Sequence, residues 1–253
     1  MNESPVHEGL IDEWKALADD PQALLGAIFG RFGSRAAIVT SGQLTGVAMI
    51  DLAVKAGAKP RVVTIDTLRL FPETYQLFDA LEQKYTLKIE RVQPDPQKLE
   101  AMVKENGEYL FFDSKQKQEY CCQIRKVEPN ERVLDTLDVW LTGLRSDQSK
   151  ARAATQRFEI LQRPGKNPIL KVAPLVDWTE ERLRRYCEEN QVPVHPLLFW
   201  EKDGWRYESL GCILCTTPIG PTEPRRAGRW RWFNALDGDD KECGLHVVHK
   251  DEV

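Results

Sequence analysis

Two close pairs of cysteines, Cys121-Cys122 and Cys212-Ile213-Leu214-Cys215, are the residues best suited to chemistry in this chain. Adjacent cysteines rarely bridge each other, because the ring would strain the intervening peptide. The four thiols can instead serve one soft metal centre. Four thiolates suit either tetrahedral zinc or a cubane iron–sulfur cluster. Structural zinc favours two CxxC-like knuckles, whereas the neighbouring thiolates of Cys121-Cys122 can reach two different irons, which tilts the chemistry toward the cluster. Arg125 and Lys126 follow the first pair a short stride along the chain. A further thiol stands in Glu242-Cys243-Gly244-Leu245-His246, where Gly244 offers a hinge. Its pKa starts near the ordinary value of about 8.5, and Glu242 pushes it upward. Activation must therefore come from neighbouring cations or from His246. Taken alone, a terminal cysteine of this kind is more often inert.

Three stretches could handle an anion. Ser41-Gly42-Gln43-Leu44-Thr45-Gly46 lies between an apolar run and a helical one, where backbone N–H groups and a helix dipole can hold a phosphate. Its glycines fit neither the Walker A loop nor the dinucleotide fingerprint, and a serine-capped turn is the plain alternative. In Asp66-Thr67-Leu68-Arg69, Asp66 can accept from a ribose hydroxyl and Arg69 can face a phosphate. Pro224-Arg225-Arg226-Ala227-Gly228-Arg229-Trp230-Arg231-Trp232 interleaves guanidinium forks with indoles, a pattern suited to phosphate, to an aromatic base or to single-stranded nucleic acid.

The elements that must position these residues follow from hydrophobic rhythm. Leu10 to Phe32 predicts two short helices split at Asp19-Asp20-Pro21. Strands are expected at Arg35–Thr40, Arg61–Ile65 and Leu87–Val92, with helices over Val47–Ala56 and Pro72–Lys84 between them. That alternation implies a parallel sheet covered on both faces by helices, three layers in all. Ligands of such sheets bind beyond the carboxyl ends of the strands, which puts Ser41-Gly42 and Asp66-Thr67 on one rim. Gln93 to Gln118 reads as polar and turn-rich, and a helix through Cys121–Val127 is expected to stop near Glu128-Pro129. Leu137–Leu141 predicts another strand, Arg157–Leu161 and Ile169–Val172 a hairpin. Asp177-Trp178-Thr179-Glu180 resembles a capping box opening a helix to Glu189. On that helix Cys187 shares a face with Leu183 and Tyr186 and reads as a buried packing residue. Residues 1–210 are expected to form an α/β nucleotide-binding domain, and 211–253 a loop-like segment carrying the CxxC and the last cysteine.

With 253 residues, 42% of them hydrophobic and 29% charged, the chain can bury one substantial core. A net charge of -4 argues against bulk nucleic-acid binding. No apolar run reaches the ~18 residues of a membrane span. The opening residues lack the basic and apolar regions of a secretion signal, so a reducing cytoplasm is expected.

Taken together, the motifs resemble the assimilatory adenylyl-sulfate and phosphoadenylyl-sulfate reductases from about Thr40 to His246. The resemblance rests on Asp66-Thr67-Leu68-Arg69-Leu70-Phe71-Pro72-Glu73-Thr74-Tyr75 and Cys121-Cys122-Gln123-Ile124-Arg125-Lys126. Trp140-Leu141-Thr142-Gly143-Leu144-Arg145, Pro174-Leu175-Val176-Asp177-Trp178-Thr179, the CxxC, Arg226-Ala227-Gly228-Arg229-Trp230 and Lys241-Glu242-Cys243-Gly244-Leu245-His246 complete it. It implies an adenine-nucleotide alpha hydrolase-like α/β fold with a C-terminal catalytic tail. Cys243, with His246, would attack the sulfur of adenosine 5′-phosphosulfate, releasing AMP and leaving an S-sulfocysteine. A thioredoxin or glutaredoxin-like protein would then release sulfite. The paired cysteines Cys121, Cys122, Cys212 and Cys215 would hold a [4Fe–4S] cluster, as in members that use the 5′-phosphosulfate; reduction of the 3′-phosphorylated substrate is the alternative. Lys126 would stand between cluster and substrate, Arg226 and Arg229 would clamp the phosphosulfate, and Ser41, Gly42 and Gly143 would line the pocket. Arg145 or Arg152 would add an anion contact. A homo-oligomer is expected. An ATP-using sulfurtransferase or ligase of the same fold group is the rival in another reaction class. The chain departs from the family at Ser41–Gly46, which lacks the Ser-Gly-Gly-x-Asp form, at Leu68, where glycine is usual, and at Val247-Val248-His249-Lys250.

Overall fold

The computed structural model describes residues 6–233, so Cys243 and His246 lie outside the described residues. Helices α1 (Glu8–Lys15) and α2 (Pro21–Phe32) lead into the sheet. The Asp20 side chain accepts from the Ala23 N–H to cap α2, and Pro21 sits in the first turn, where its missing N–H has no bond to lose. The expected alternation follows as β1 (Ala36–Val39), α3 (Leu44–Lys55), β2 (Arg61–Ile65), α4 (Pro72–Tyr85) and β3 (Ile89–Val92). Helix α3 begins at Leu44, three residues before the predicted start at Val47. Gly46 permits it: a Cβ there would stand 1.9 Å from Thr40 Oγ1.

The stretch read as turns is instead helical. Asp95 accepts from the N–H groups of Gln97 and Lys98, and Pro96 opens α5 (Pro96–Asn106). Its Leu99, Met102 and Val103 recur at helical spacing and pack with the cysteines. Helix α6 (Lys115–Cys122) then passes through a π-helical turn, Gln123–Val127, into α7 (Glu128–Leu134). Pro129 was expected to end this helix. It has no N–H for the carbonyl four residues back, and the widened turn absorbs the defect without breaking the rod.

Strands β4 (Val139–Leu141), β5 (Phe158–Leu161) and β6 (Ile169–Val172) and helix α8 (Glu180–Glu189) complete the frame. The cap of α8 is Thr179, whose hydroxyl accepts from the Arg182 N–H, rather than Asp177. The sheet runs β3-β2-β1-β4-β6-β5, parallel except where β5 returns antiparallel beside β6. Ile38 pairs with Val62 on one side and Leu141 on the other, and all three point into a core shared with α1, α2, α3, α4 and α8. Ala37, Val63 and Trp140 point the opposite way, against Val133 and Leu134 of α7. This is the predicted three-layer, mostly parallel α/β fold. Cys187, 2% exposed, belongs to the first core, as its spacing predicted.

From Gly211 to Phe233 the chain is laid over the strand ends. Ile213 N–H donates to Arg69 O at 2.8 Å, Thr216 bridges to Arg229, and the Trp232 indole donates to Phe111 O at 3.1 Å. At Gly228 a Cβ would meet Thr217 O at 2.1 Å. Among the described residues no helix is long and apolar enough to cross a membrane.

Candidate active site

The chain leaves β1 for β2 and β3 on one side, then returns to place β4 and β6 on the other. That reversal opens a crevice between the carboxyl ends of β1 and β4. A pocket occupies it, lined at the rim by Thr40, Ser41, Thr45, Thr67 and Gly143 and beyond the rim by Lys126, Arg145, Arg152, Arg226 and Arg229. Gly42, at φ 77°, turns the chain out of β1, and its N–H donates to Thr40 Oγ1 at 3.0 Å. Gly143 lets β4 approach α3 closely, since a Cβ would lie 3.3 Å from the Thr45 Cβ. Ser41, Gly143, Lys126, Arg145, Arg152, Arg226 and Arg229 line this one pocket, whereas Gly42 shapes the turn without lining it.

Asp66 and Arg69 do not join them. Asp66 is 3% exposed and absorbed by the turn after β2, accepting from Leu68 N–H, Tyr75 Oη and Gln93 Nε2 at 2.9, 2.7 and 3.0 Å. Thr67 reaches the pocket in its place. Arg69 turns away, pairs with Glu108 and lies 4.9 Å over the Phe111 ring. It lines a second cavity together with Gln118, Arg125 and the four cysteines Cys121, Cys122, Cys212 and Cys215. Lys126 and Cys212 line both cavities. Arg125 follows Cys121, and Lys126 follows Cys122, by about one helical turn, so each cation stays on the sulfur-bearing side.

Electrostatics separate the sulfurs. Burial pushes Cys215 up to about 12, with the Cys212 sulfur adding to the effect. Cys121 is likewise raised by burial, against the pull of Arg125 and Arg69. Burial opposes ionisation of Cys212 too, but Lys126, a 3.2 Å hydrogen bond with Thr67 Oγ1, Arg229 and Arg125 together hold it below the ordinary thiol value. Burial lowers Arg125, and neighbouring Arg69 lowers it further.

Four sulfurs share one cavity, a donor set that suits a soft metal centre. Four thiolates would together carry excess negative charge, which the buried Arg69, Arg125, Lys126 and Arg229 are placed to offset. The buried Arg125 Nε has no hydrogen-bond partner among the described residues and supplies a donor for sulfur.

Among the charged residues lining the pocket, Glu208 has no part in the sequence reading, Glu180 enters it only at a helix start and Arg225 only as a member of the basic run. Arg225 Nη2 meets Glu180 Oε2 at 3.0 Å, an ion pair between segments too distant in sequence for any spacing rule to link.

Residues 35–218 match the phosphoadenosine phosphosulfate reductase domain family. An adenosine 5′-phosphosulfate reductase of Rhizobium tropici is 42% identical over 183 residues, which cover 72% of this chain and 96% of that one. The Pseudomonas aeruginosa (strain UCBPP-PA14) protein of the same name is 37% identical over 236 residues, 92% of this chain and 84% of that one. The crystal structure of a Candida auris phosphoadenylyl-sulfate reductase in its phosphate complex superposes with a TM-score of 0.65, covering 85% of this chain and 98% of that one. At 24% identity that likeness speaks for the fold. With the family matched across most of its length and the pocket at the rim that fold uses, this chain belongs to the phosphoadenosine phosphosulfate reductase domain family.

Proposed function

We propose that this chain reduces adenosine 5′-phosphosulfate to sulfite and AMP in assimilatory sulfate reduction, with a protein dithiol of the thioredoxin type as reductant. The observation that carries this reading is the wall common to the nucleotide pocket and the cysteine cavity, where Lys126 and Cys212 line both. Anion meets anion when a thiolate approaches a sulfonate, so cations must offset the repulsion beforehand. Lys126, Arg226 and Arg229 line the pocket for that task and gather the charge that builds on the departing phosphate.

Cys243 is the proposed nucleophile, with His246 beside it in sequence. Its thiolate attacks the sulfonate sulfur, the bond from sulfur to the bridging phosphate oxygen breaks, and AMP leaves. The reductant's first thiolate then attacks Cys243 Sγ, expelling sulfite, and its second thiol resolves the mixed disulfide. Both electrons come from that dithiol, which ends oxidised, and Cys243 returns as a thiol. Cys121, Cys122, Cys212 and Cys215 would hold a [4Fe–4S] cluster. When bound, it would supply a fixed charge and a rigid anchor behind Lys126.

The test is sulfite release from each sulfonucleotide with reduced thioredoxin. We expect turnover of the 5′-phosphosulfate, and loss of turnover in Cys243→Ser with iron content retained. Normal turnover by Cys243→Ser would overturn the thiol route, and a faster reaction with the 3′-phosphorylated substrate would overturn the substrate assignment. Zinc in place of iron in anaerobically purified, active protein would sink the cluster.

A further inference from the structure

The geometry points to Glu180 and Glu208 as a carboxylate wall that accepts free ribose hydroxyls and turns away a ribose carrying a 3′-phosphate. This inference rests on the sulfonucleotide reading above. Six cations line the pocket, which by count alone would welcome extra phosphate. Two of them, Arg145 and Arg225, are ion-paired with carboxylates that line the same pocket. Arg145, 2% exposed, places Nη2 2.9 Å from Glu180 Oε2, Nε 2.9 Å from Asp147 Oδ1 and Nη1 2.7 Å from Thr45 Oγ1. Arg225 meets Glu180 Oε2 at 3.0 Å, Glu208 Oε2 at 3.4 Å and Asp147 Oδ2 at 3.8 Å. From outside the pocket lining, Arg184 meets Glu180 Oε1 at 3.2 Å and Arg206 meets Glu208 Oε1 at 2.6 Å.

The pocket therefore has two unlike walls. Lys126, Arg229 and Cys212 adjoin the cysteine cavity, and no carboxylate lines the pocket among them. Opposite in character is the side where Arg145 and Arg225 meet Glu180 and Glu208, the two carboxylates that line the pocket. Adenosine 5′-phosphosulfate carries all its charge on the phosphosulfate and neutral hydroxyl donors on the adjoining ribose, matching that division. Carboxylate oxygens accept from hydroxyls, as the acidic residue of a dinucleotide site does from ribose. A 3′-phosphate at that wall would face the same oxygens, or would have to draw Glu180 away from Arg145, Arg225 and Arg184.

The proposal is tested on the full chain by measuring the affinities of AMP and adenosine 3′,5′-bisphosphate at fixed ionic strength. Like-charge rejection leads us to expect the wild type to favour AMP by about tenfold or more. Glu208→Gln, which leaves every Arg145 contact in place, should narrow that ratio by about fivefold, and Glu180→Gln by more. Relative sulfite rates from the two sulfonucleotides should move the same way. Equal wild-type affinities, or a ratio unmoved by Glu208→Gln, would overturn the wall. Should Glu180→Gln fail to fold, Glu208→Gln decides alone. If AMP binds and sulfite forms while the ratio stays fixed, only the wall falls; if neither nucleotide binds, the sulfonucleotide reading falls and takes the wall with it.

Discussion

The nucleotide pocket and the cysteine cavity share a wall but are built by different means. The pocket is a product of topology: strand ends and short turns after β1, β2 and β4 deliver Ser41, Thr67 and Gly143 to one rim. The cavity is a product of side-chain convergence, with Cys121 and Cys122 leaving one helix and Cys212 and Cys215 arriving on a loop laid across the strand ends. A crevice set by the backbone tolerates loss of one side chain. A ligand set does not. Cys212→Ser should therefore abolish iron binding and turnover while AMP affinity stays within about threefold, because the sheet is untouched. Iron analysis beside AMP titration checks this, and joint loss of both would break the distinction.

Lys126 belongs to both regions and should behave like neither. Lys126→Gln is expected to lower kcat/KM by about a hundredfold, the scale of one lost charge stabiliser, with iron content unchanged. Loss of iron in that variant would move Lys126 from the pocket to the cavity. The reverse experiment is Gly46→Ala. Its Cβ would press on Thr40 at the end of β1, an overpacking worth about 1–3 kcal/mol, and AMP binding should weaken while iron is retained.

What could be read from sequence follows the same division. Alternating apolar runs sufficed for the sheet, since each of β1, β2 and β4 is buried and flanked by turn residues. Ser41 was legible because a residue just past a parallel strand has little choice but the rim, whereas Gly143 came with the family resemblance. Asp66 and Arg69 were misplaced for a local reason: the turn after β2 folds Asp66 back onto Leu68, Tyr75 and Gln93, and only Thr67 emerges. Helix α5 was missed because Pro94-Asp95-Pro96 reads as a turn, although Asp95 and Pro96 make an equally good helix start. Glu208 had no signal, Glu180 read only as part of a helix start and Arg225 only as one of a basic run. Their meaning lies in ion pairs across the fold, which no periodicity encodes.

The segment laid over the rim also has an acid-sensitive pin. Hydrogen bonds from Arg231 and from the Gly220 N–H hold Glu223 down at about 2, below its ordinary 4.5. Ionised Glu223 is thus favoured by the folded chain. Its contribution is complete above the ordinary carboxylate value and fades as pH falls through about 2. Tryptophan emission from Trp230 and Trp232 should report loosening over that acid window in the wild type. Glu223→Gln should lack this step and be looser already at neutral pH. Superimposable acid titrations would remove the pin from the account.

The smallest effect is expected in the turn after β2. Leu68 stands in the turn after β2 at φ 59°, the left-handed region, with its N–H held by Asp66 Oδ1 and its side chain 46% exposed. A Cβ in that region costs roughly 1–2 kcal/mol, and so exposed a leucine regains little of it by burial. Glycine removes the clash but adds freedom to the unfolded chain, worth roughly 0.5–1 kcal/mol against it. The difference leaves Leu68→Gly more stable by about 0.5–1 kcal/mol, seen as a higher urea midpoint at unchanged slope. Leu68→Ala keeps the Cβ and should gain nothing. If alanine stabilised as much as glycine, the backbone would not be the cause, and this leucine would be costing the fold through its side chain instead. The turn joins the two regions, since Thr67 reaches the pocket and bonds Cys212 while Arg69 O accepts from Ile213. A relaxed turn should therefore alter AMP affinity and iron retention together, in the same direction and by small amounts.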